Sequence, residues 1–541
     1  MTARFLKLLT IILFLVPITV NAQRDTVKDL DKVDIYTKYR PVLSDAKRVE
    51  SAPEMKEPEI KALNFTYSFP DLRYKVQPAF TAISAQEYRT KNDAFVNGNF
   101  IKAGFGNYTT PLLHIELHNG KSNNYAYGLS AHHLSSNGKP AYKAFMDDNV
   151  SLQGAKFMRG NTLSGQLGYS RYGYNYYGYN HDSDNFKKDS VKQAINNITA
   201  NIHYDNIKTS KKLKTTFDLD AYRFSIVQQN EIGYRLSNKT GGKVGNGELH
   251  INTAFEGFAS GPDSVKYNRN FIDINPVYKM RYKDVDLTMG AFASIMLDSL
   301  DKHFYLYPEF RVDYYVVPEK MKAYAGLGGG LTKGSTRTLY NENAFLAENQ
   351  ALKNQYTPYI IFGGIKGKLG SGFDYMLELS QQTINNLPMY LSDTLALHKF
   401  VISYENVGLF KFNAGLNYNR FEKLKISTNF TYFSYNPSSS VHAIQRPDFE
   451  WNTKIAGTIA EKLALHTKIY VIGTRYSKYI WSNESQKLPI IADINIGADY
   501  RIRKNISFFV DVNNLTNQTY QRWFNYPSYG FNGIAGITFI F

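Results

Sequence analysis

Residues 490–503 read IIADINIGADYRIR. Taken two at a time, one set is Ile490, Ala492, Ile494, Ile496, Ala498, Tyr500 and Ile502. The other is Ile491, Asp493, Asn495, Gly497, Asp499, Arg501 and Arg503. Side chains alternate between the two faces of a β-strand, so this segment is a strand with one hydrocarbon face and one charged face. The same pattern recurs nearby. Leu463, Leu465, Thr467, Ile469 and Val471 oppose Ala464, His466, Lys468 and Tyr470. Ile506, Phe508, Val510 and Val512 oppose Ser507, Phe509, Asp511 and Asn513.

A strand of this kind fits a soluble sandwich or a membrane barrel, and the connections discriminate. Some links are tight: 283–284, 318–320, 419–423, 460–462 and 503–505. Between them lie long ones: Tyr172 to Ala194, Ser335 to Tyr356, Thr383 to Ala396, Tyr476 to Lys487 and Thr516 to Tyr529. Short and long links in alternation describe an outer-membrane barrel with short periplasmic turns and long outer loops. The expected fold is therefore an all-β transmembrane antiparallel barrel over 95–541, of about 22 strands. Three of these strands fall in Lys212 to Ala259. At about 20 residues per strand and connection, the length suits a barrel of this size.

The rest of the chain agrees with export. Arg4 and Lys7 precede the apolar run Leu8 to Val20, and Val20-Asn21-Ala22 offers a cleavage site. Residues 1–22 are read as a signal peptide cleaved near Ala22, too short to span a bilayer as a helix. No later stretch approaches 18 consecutive apolar residues. The chain has no Cys, which excludes disulfides, thiolate metal sites and Cys nucleophiles. Residues 23–94 are rich in charge and proline and alternate poorly. They are read as a periplasmic segment, with a short helix near Ser44 to Glu50 and the option of entering the barrel as a partial plug. The formal charge is +16. In an exported chain this excess lines loops and a wet interior, or faces anionic headgroups or an anionic solute, and not nucleic acid.

Charge on the lipid face costs about 2–4 kcal/mol near the bilayer midplane. The charged register is therefore assigned to the lumen, with Lys468, Asp493, Asp499, Arg501, Arg503 and Asp511 as lining residues. The glycine clusters GLGGGLTKGS (326–335) and GGIKGKLGSG (363–372) lack the order of a phosphate loop. His114 and His118 stand too far apart along a strand to share a metal, and His132 and His133 point to opposite faces. The acidic loop from His181 to Asn185 lacks the spacing of an EF-hand. The run RYGYNYYGYN (171–180) is read first as an interfacial aromatic girdle, in a chain with 42 Tyr and 35 Phe. The 11 His are scattered. No catalytic set, cofactor or metal site is assigned, and an enzyme is not expected.

Asn513-Asn514-Leu515-Thr516-Asn517 with Tyr520, then Tyr526-Pro527-Ser528-Tyr529-Gly530 and the terminal strand, resemble the end of TonB-dependent receptor barrels. KYRPVLSDAKRVESAP (38–53) and IKAGFGNYTTPLL (101–113) look like a group of such barrels that lack the plug domain. Residues 23–94 show neither plug motifs nor a TonB box. The resemblance implies passage or binding of an unknown solute across the outer membrane. The alternative is a structural or assembly component of an outer-membrane complex with a closed lumen. Partners implied are outer-membrane lipid, the barrel-assembly machinery, and a periplasmic or outer-membrane protein.

The ending GIAGITFIF (533–541) is read as the closing strand. Gly536, Phe539 and Phe541 are similar to the C-terminal signal read by the barrel-assembly machinery. Phe541→Ala is therefore expected to lower the amount of folded, heat-modifiable barrel in outer-membrane fractions; unchanged levels would count against that role.

Overall fold

The computed structural model describes residues 98–541 apart from 120–123, 139–141, 183–185, 207–212, 227–228, 262–266, 299–301, 371, 394–397, 421–422 and 460. The expected signal peptide and the segment 23–94 lie outside the described residues.

Twenty-two strands form one antiparallel sheet in which each strand pairs with its neighbour in the chain. The first strand (Phe100–Gly106) pairs with the last (Asn532–Ile540) from Phe100↔Ile540 to Gly106↔Ile534, which closes the sheet into a barrel. The expected strand count is met. So is the expectation for Lys212 to Ala259, which carries the three strands Leu213–Ile226, Gln229–Val244 and Gly247–Gly261. The first strand starts at Phe100 and not near Phe95. Asn99 is used instead as a cap: its side chain accepts from His118 N at 2.6 Å, and its carbonyl accepts from Phe541 N at 2.9 Å.

The tight links fall together at one end of the barrel, at 245–246, 283–284, 318–320, 460–462 and 504–505. Gly245, at φ 58°, takes the left-handed conformation that such a hairpin turn requires. At the other end lie 176–191, 333–354, 473–490 and 514–531. Alternation of link length is not strict, because 107–109 and 227–228 at the long-link end are also short. The expected loop from Thr383 to Ala396 is a correction. The strand Phe373–Ser392 runs through it, paired to Phe400–Arg420 as far as Ser392↔Phe400. Asn386 at φ 58° accommodates a bulge between Ile384 and Leu387, so an NNLP sequence that reads as a turn stays in the sheet.

Exposure is inverted relative to a soluble protein. On the outside, Leu167 is 59% exposed, Ile198 51%, Ile361 58% and Ile537 54%; on the inside, Glu231, Ser294 and Thr538 are 0%. Exposed Tyr125, Tyr127, Tyr282, Tyr314 and Tyr500 gather towards the tight-turn end, where an interfacial girdle belongs. The wall is polar within and apolar without, as the alternation predicts.

The closing seam depends on two glycines facing each other, Gly104 and Gly536. A Cβ on Gly536 would lie 2.1 Å from Ala103 O, and one on Gly104 would lie 2.7 Å from Phe509 Cζ. The fully buried Phe509 ring covers the seam from within, and Lys102 Nζ sits 3.7 Å from its centroid. Gly104→Val should cost about 1–3 kcal/mol through overpacking. Urea-driven refolding into detergent, without assembly machinery, reads this directly; a midpoint equal to that of the natural chain would refute it.

Candidate solute-binding lumen and its outer cap

The long links do not project away from the barrel. They fold across its mouth and pack on one another. The helix Thr336–Glu342 shows how one is placed. Ser335 Oγ accepts from Thr338 N at 3.1 Å as N-cap. Glu231, fully buried on the strand Gln229–Val244, accepts from Thr336 N at 2.6 Å and Arg337 N at 3.2 Å, and Tyr222 Oη donates to it at 2.7 Å. A wall carboxylate thus meets the positive end of the helix and fixes the link over the lumen.

Aromatic rings from several links then fill the mouth. Tyr526 stacks on Phe345 with centroids 3.6 Å apart and meets Tyr177 edge-on at 4.9 Å. Trp523, 2% exposed, packs edge-on to Tyr390 at 5.0 Å and against Phe400 at 5.6 Å. Hydroxyls tie the rings to foreign backbone. Tyr176 Oη donates to Leu346 O at 2.8 Å, Tyr174 Oη to Ala344 O, and Tyr526 Oη to His398 O. The fully buried Arg475 joins two more links, donating to Gln521 O and Arg522 O at 2.9 Å and to Pro489 O at 3.1 Å. Burial pushes the Tyr176, Tyr177 and Tyr526 hydroxyls well above the usual phenol range and pulls the Lys143 ammonium down to about 8. The tyrosine run 171–180 is therefore corrected from a girdle to a cap. Tyr172 and Tyr174 take the inward register, and Tyr176, Tyr177 and Tyr179 lie past the strand Thr162–Asn175, where neighbouring links supply acceptors.

Cavities lie among the wall side chains inside the barrel. One, of about 1110 Å³, is lined by eight Lys or Arg and five Asp or Glu side chains. Lys333 donates to Asp273 at 2.7 Å and to Glu256 at 2.9 Å. Arg311 and Lys366 flank the Tyr324 ring at 4.2 and 5.4 Å. Among the described residues, Lys366, Lys411 and Arg337 have no carboxylate partner within ion-pair distance, so the cavity carries a basic excess.

A second cavity, of about 770 Å³, receives Lys468, Asp493 and Asp511 from the residues expected at the lumen. Tyr520 Oη donates to Asp493 at 2.5 Å. Asp499 is buried on the same wall, with His466 Nδ1 3.8 Å from its carboxylate. His466 Nε2 stands 3.0 Å from Asp511, and Lys102 Nζ lies 3.5 Å from the other carboxylate oxygen. Arg501 and Arg503 are not brought into this group. They are exposed at the tight-turn end of the strand Ile491–Arg503. His466 was visible on the polar face of its strand beside Lys468, whereas Lys102, Glu231 and Arg475 carried no local signal. His114 and His132 meet edge-on at 5.5 Å. No group of three or more metal-ligating side chains occurs among the described residues. The acidic loop lies partly outside the described residues.

No protein-family model and no curated protein matches the chain. Solved structures do. The FrpB iron transporter of Neisseria meningitidis (F5-1 variant) superposes with a TM-score of 0.63 at 10% identity, over 82% of this chain and 82% of that one. The ferric-catecholate import receptor Fiu of E. coli K12 gives 0.61 at 11% identity, over 82% of each chain. The pyoverdine outer-membrane receptor FpvA of Pseudomonas aeruginosa PAO1 gives 0.61 at 12% identity, over 82% of this chain and 78% of that one. At such identities the likeness is one of fold. In fold, this chain is a closed 22-stranded antiparallel barrel similar to the barrels of these receptors and transporters.

Proposed function

We propose that this chain is an outer-membrane barrel that takes up or passes a hydrophilic, anionic solute, with its lumen closed on the outer side by its own links. The carrying observation is the cavity of about 1110 Å³ inside the barrel, lined by charge of both signs with cations in excess. A wall of this kind in water-filled space attracts an anion and offers it several donors. The similar fold of an iron transporter and a ferric-catecholate import receptor supports uptake. The tight turns then face the periplasm and the cap faces outwards, after cleavage of residues 1–22 near Ala22. Residues 23–94 serve as a partial plug or as the contact for a periplasmic partner.

The packed cap supports a second reading, a structural component of an outer-membrane complex with a permanently closed lumen. The two part on conductance. In planar bilayers the natural chain is expected to conduct weakly. Trp523→Ala with Tyr526→Ala removes the rings that hold the cap, and is expected to raise conductance and expose 514–531 to limited proteolysis. Removing 23–94 as well should open the lumen fully. Reversal potentials in a salt gradient should then show anion selectivity, diminished by Lys366→Gln with Lys411→Gln. If neither the cap variant nor the cap variant lacking 23–94 conducts or allows liposome swelling, the uptake reading fails and the closed-lumen reading stands.

A further inference from the structure

We propose that Ser135, His133 and Asp148 form a hydrolytic triad on the outer wall of the barrel, acting on an acyl ester of a membrane lipid. His133 and Ser135 lie two apart on the strand Tyr125–Ser136, so both point to the same face. Asp148 lies directly opposite His133 on the strand Phe145–Phe157. His133 Nδ1 is 2.6 Å from Asp148 Oδ1, and Ser135 Oγ is 3.2 Å from His133 Nε2. A carboxylate only accepts, so Nδ1 carries the proton and donates to Asp148. Nε2 is then left with a lone pair to accept from the Ser135 hydroxyl. A nucleophile, a base and a group that orients the base, in that order of contact, make a triad whatever fold carries them.

The face is the outer one. Tyr127, in the same register as His133 and Ser135, is 60% exposed; Leu152, in the register of Asp148, is 53% exposed, and Leu167 on the next strand is 59%. These side chains belong to the apolar surface of the barrel. The triad stands above them, near the long-link end of the wall. A water-borne ester has no reason to settle on such a surface, whereas a lipid has its acyl chains beside the apolar stripe and its ester near the polar row. Arg171 stands opposite Asp148 on the strand Thr162–Asn175, and its Nε has no acceptor among the described residues. It sets a cation beside the triad, suited to the phosphate of a lipid headgroup.

The chemistry balances without a cofactor. Ser135 Oγ attacks the ester carbonyl carbon while its proton passes to His133 Nε2. The bond from that carbon to the lipid alkoxide breaks, and His133 returns the proton to the departing oxygen. Water, deprotonated by His133, then hydrolyses the acyl-Ser135 ester, releasing a carboxylic acid and restoring the hydroxyl.

The full-length barrel in mixed micelles is assayed with p-nitrophenyl palmitate, and in vesicles with acyl-labelled phosphatidylethanolamine. A fluorophosphonate probe is mapped by mass spectrometry, and heat-modifiability reports folding of each variant. Labelling at Ser135 and hydrolysis of both esters are expected, with Ser135→Ala lowering the rate by about 1000-fold or more and Asp148→Asn by about 100-fold or more. A folded natural barrel that neither labels nor hydrolyses overturns the proposal, as does a Ser135→Ala barrel with the original rate. Hydrolysis of p-nitrophenyl palmitate with the phospholipid left intact overturns the lipid as substrate. Conductance through the lumen is read separately, so the outcome here leaves the uptake reading untouched.

Discussion

A sheet in hydrocarbon can have no edge. Lipid offers nothing to an unpaired N–H or C=O, so a sheet that crosses a membrane must return to its own first strand. Here that requirement is met by seven register pairs, from Phe100↔Ile540 to Gly106↔Ile534. The sequence around the seam is arranged for it. Gly104 and Gly536 let the two backbones face each other with no side chain between, and Phe509 lies over the gap they leave. The outward register of the last strand is left to Ile537, Phe539 and Phe541.

Closure decides where polar groups go. With lipid outside, charge is confined to the lumen and the two rims, and inside it must find partners. The wall does this with Lys102, His466 and Asp511, with Arg311 and Asp313, and with Lys333 bridging Glu256 and Asp273. The same need shapes the cap. Links that cross the mouth bring backbone carbonyls away from water, and the buried tyrosines and Arg475 supply the donors those carbonyls lack. The aromatic load of the chain is therefore divided between two tasks, a girdle in lipid and a plate over the lumen.

The division between legible and illegible features follows range. Period-two alternation is local, so the strand at 490–503, the tight turns and the strand total could be read from the chain alone. Position along a strand was read less well. Arg501 shares the register of Asp499 and Arg503 follows a register shift, and both sit beside the turn at 504–505, where a long side chain reaches solvent. The stretch at Asn385-Asn386-Leu387-Pro388 has turn chemistry, yet pairing with Phe400–Arg420 holds it in the sheet by means of one left-handed residue. The cap was hidden because its contacts join residues far apart in sequence, as Tyr176 does with Leu346. His133 and Asp148 were hidden for the same reason: only the register of the two strands sets them opposite each other.

That register also bears on why a charged row is tolerable on the outer wall. A charge on the lipid face costs about 2–4 kcal/mol at the bilayer midplane but about 0–1 near the interface. Ser135 is the penultimate residue of its strand, Asp148 the fourth of its own, and Arg171 four residues from the end of the next. At about 3.3 Å per residue, all three stand within roughly 15 Å of the long-link end, and strand tilt brings them nearer to the rim. Below them the outward register turns apolar, with Val150 and Leu152 under Asp148, and Leu167 under Arg171. Polar side chains that had merely strayed would be scattered over the face. These stand together near the long-link end, and Asp148 among them is joined to His133 by a hydrogen bond of 2.6 Å. The strand Tyr125–Ser136 thus serves two solvents at once, turning His132 towards the lumen wall and His133 towards the membrane.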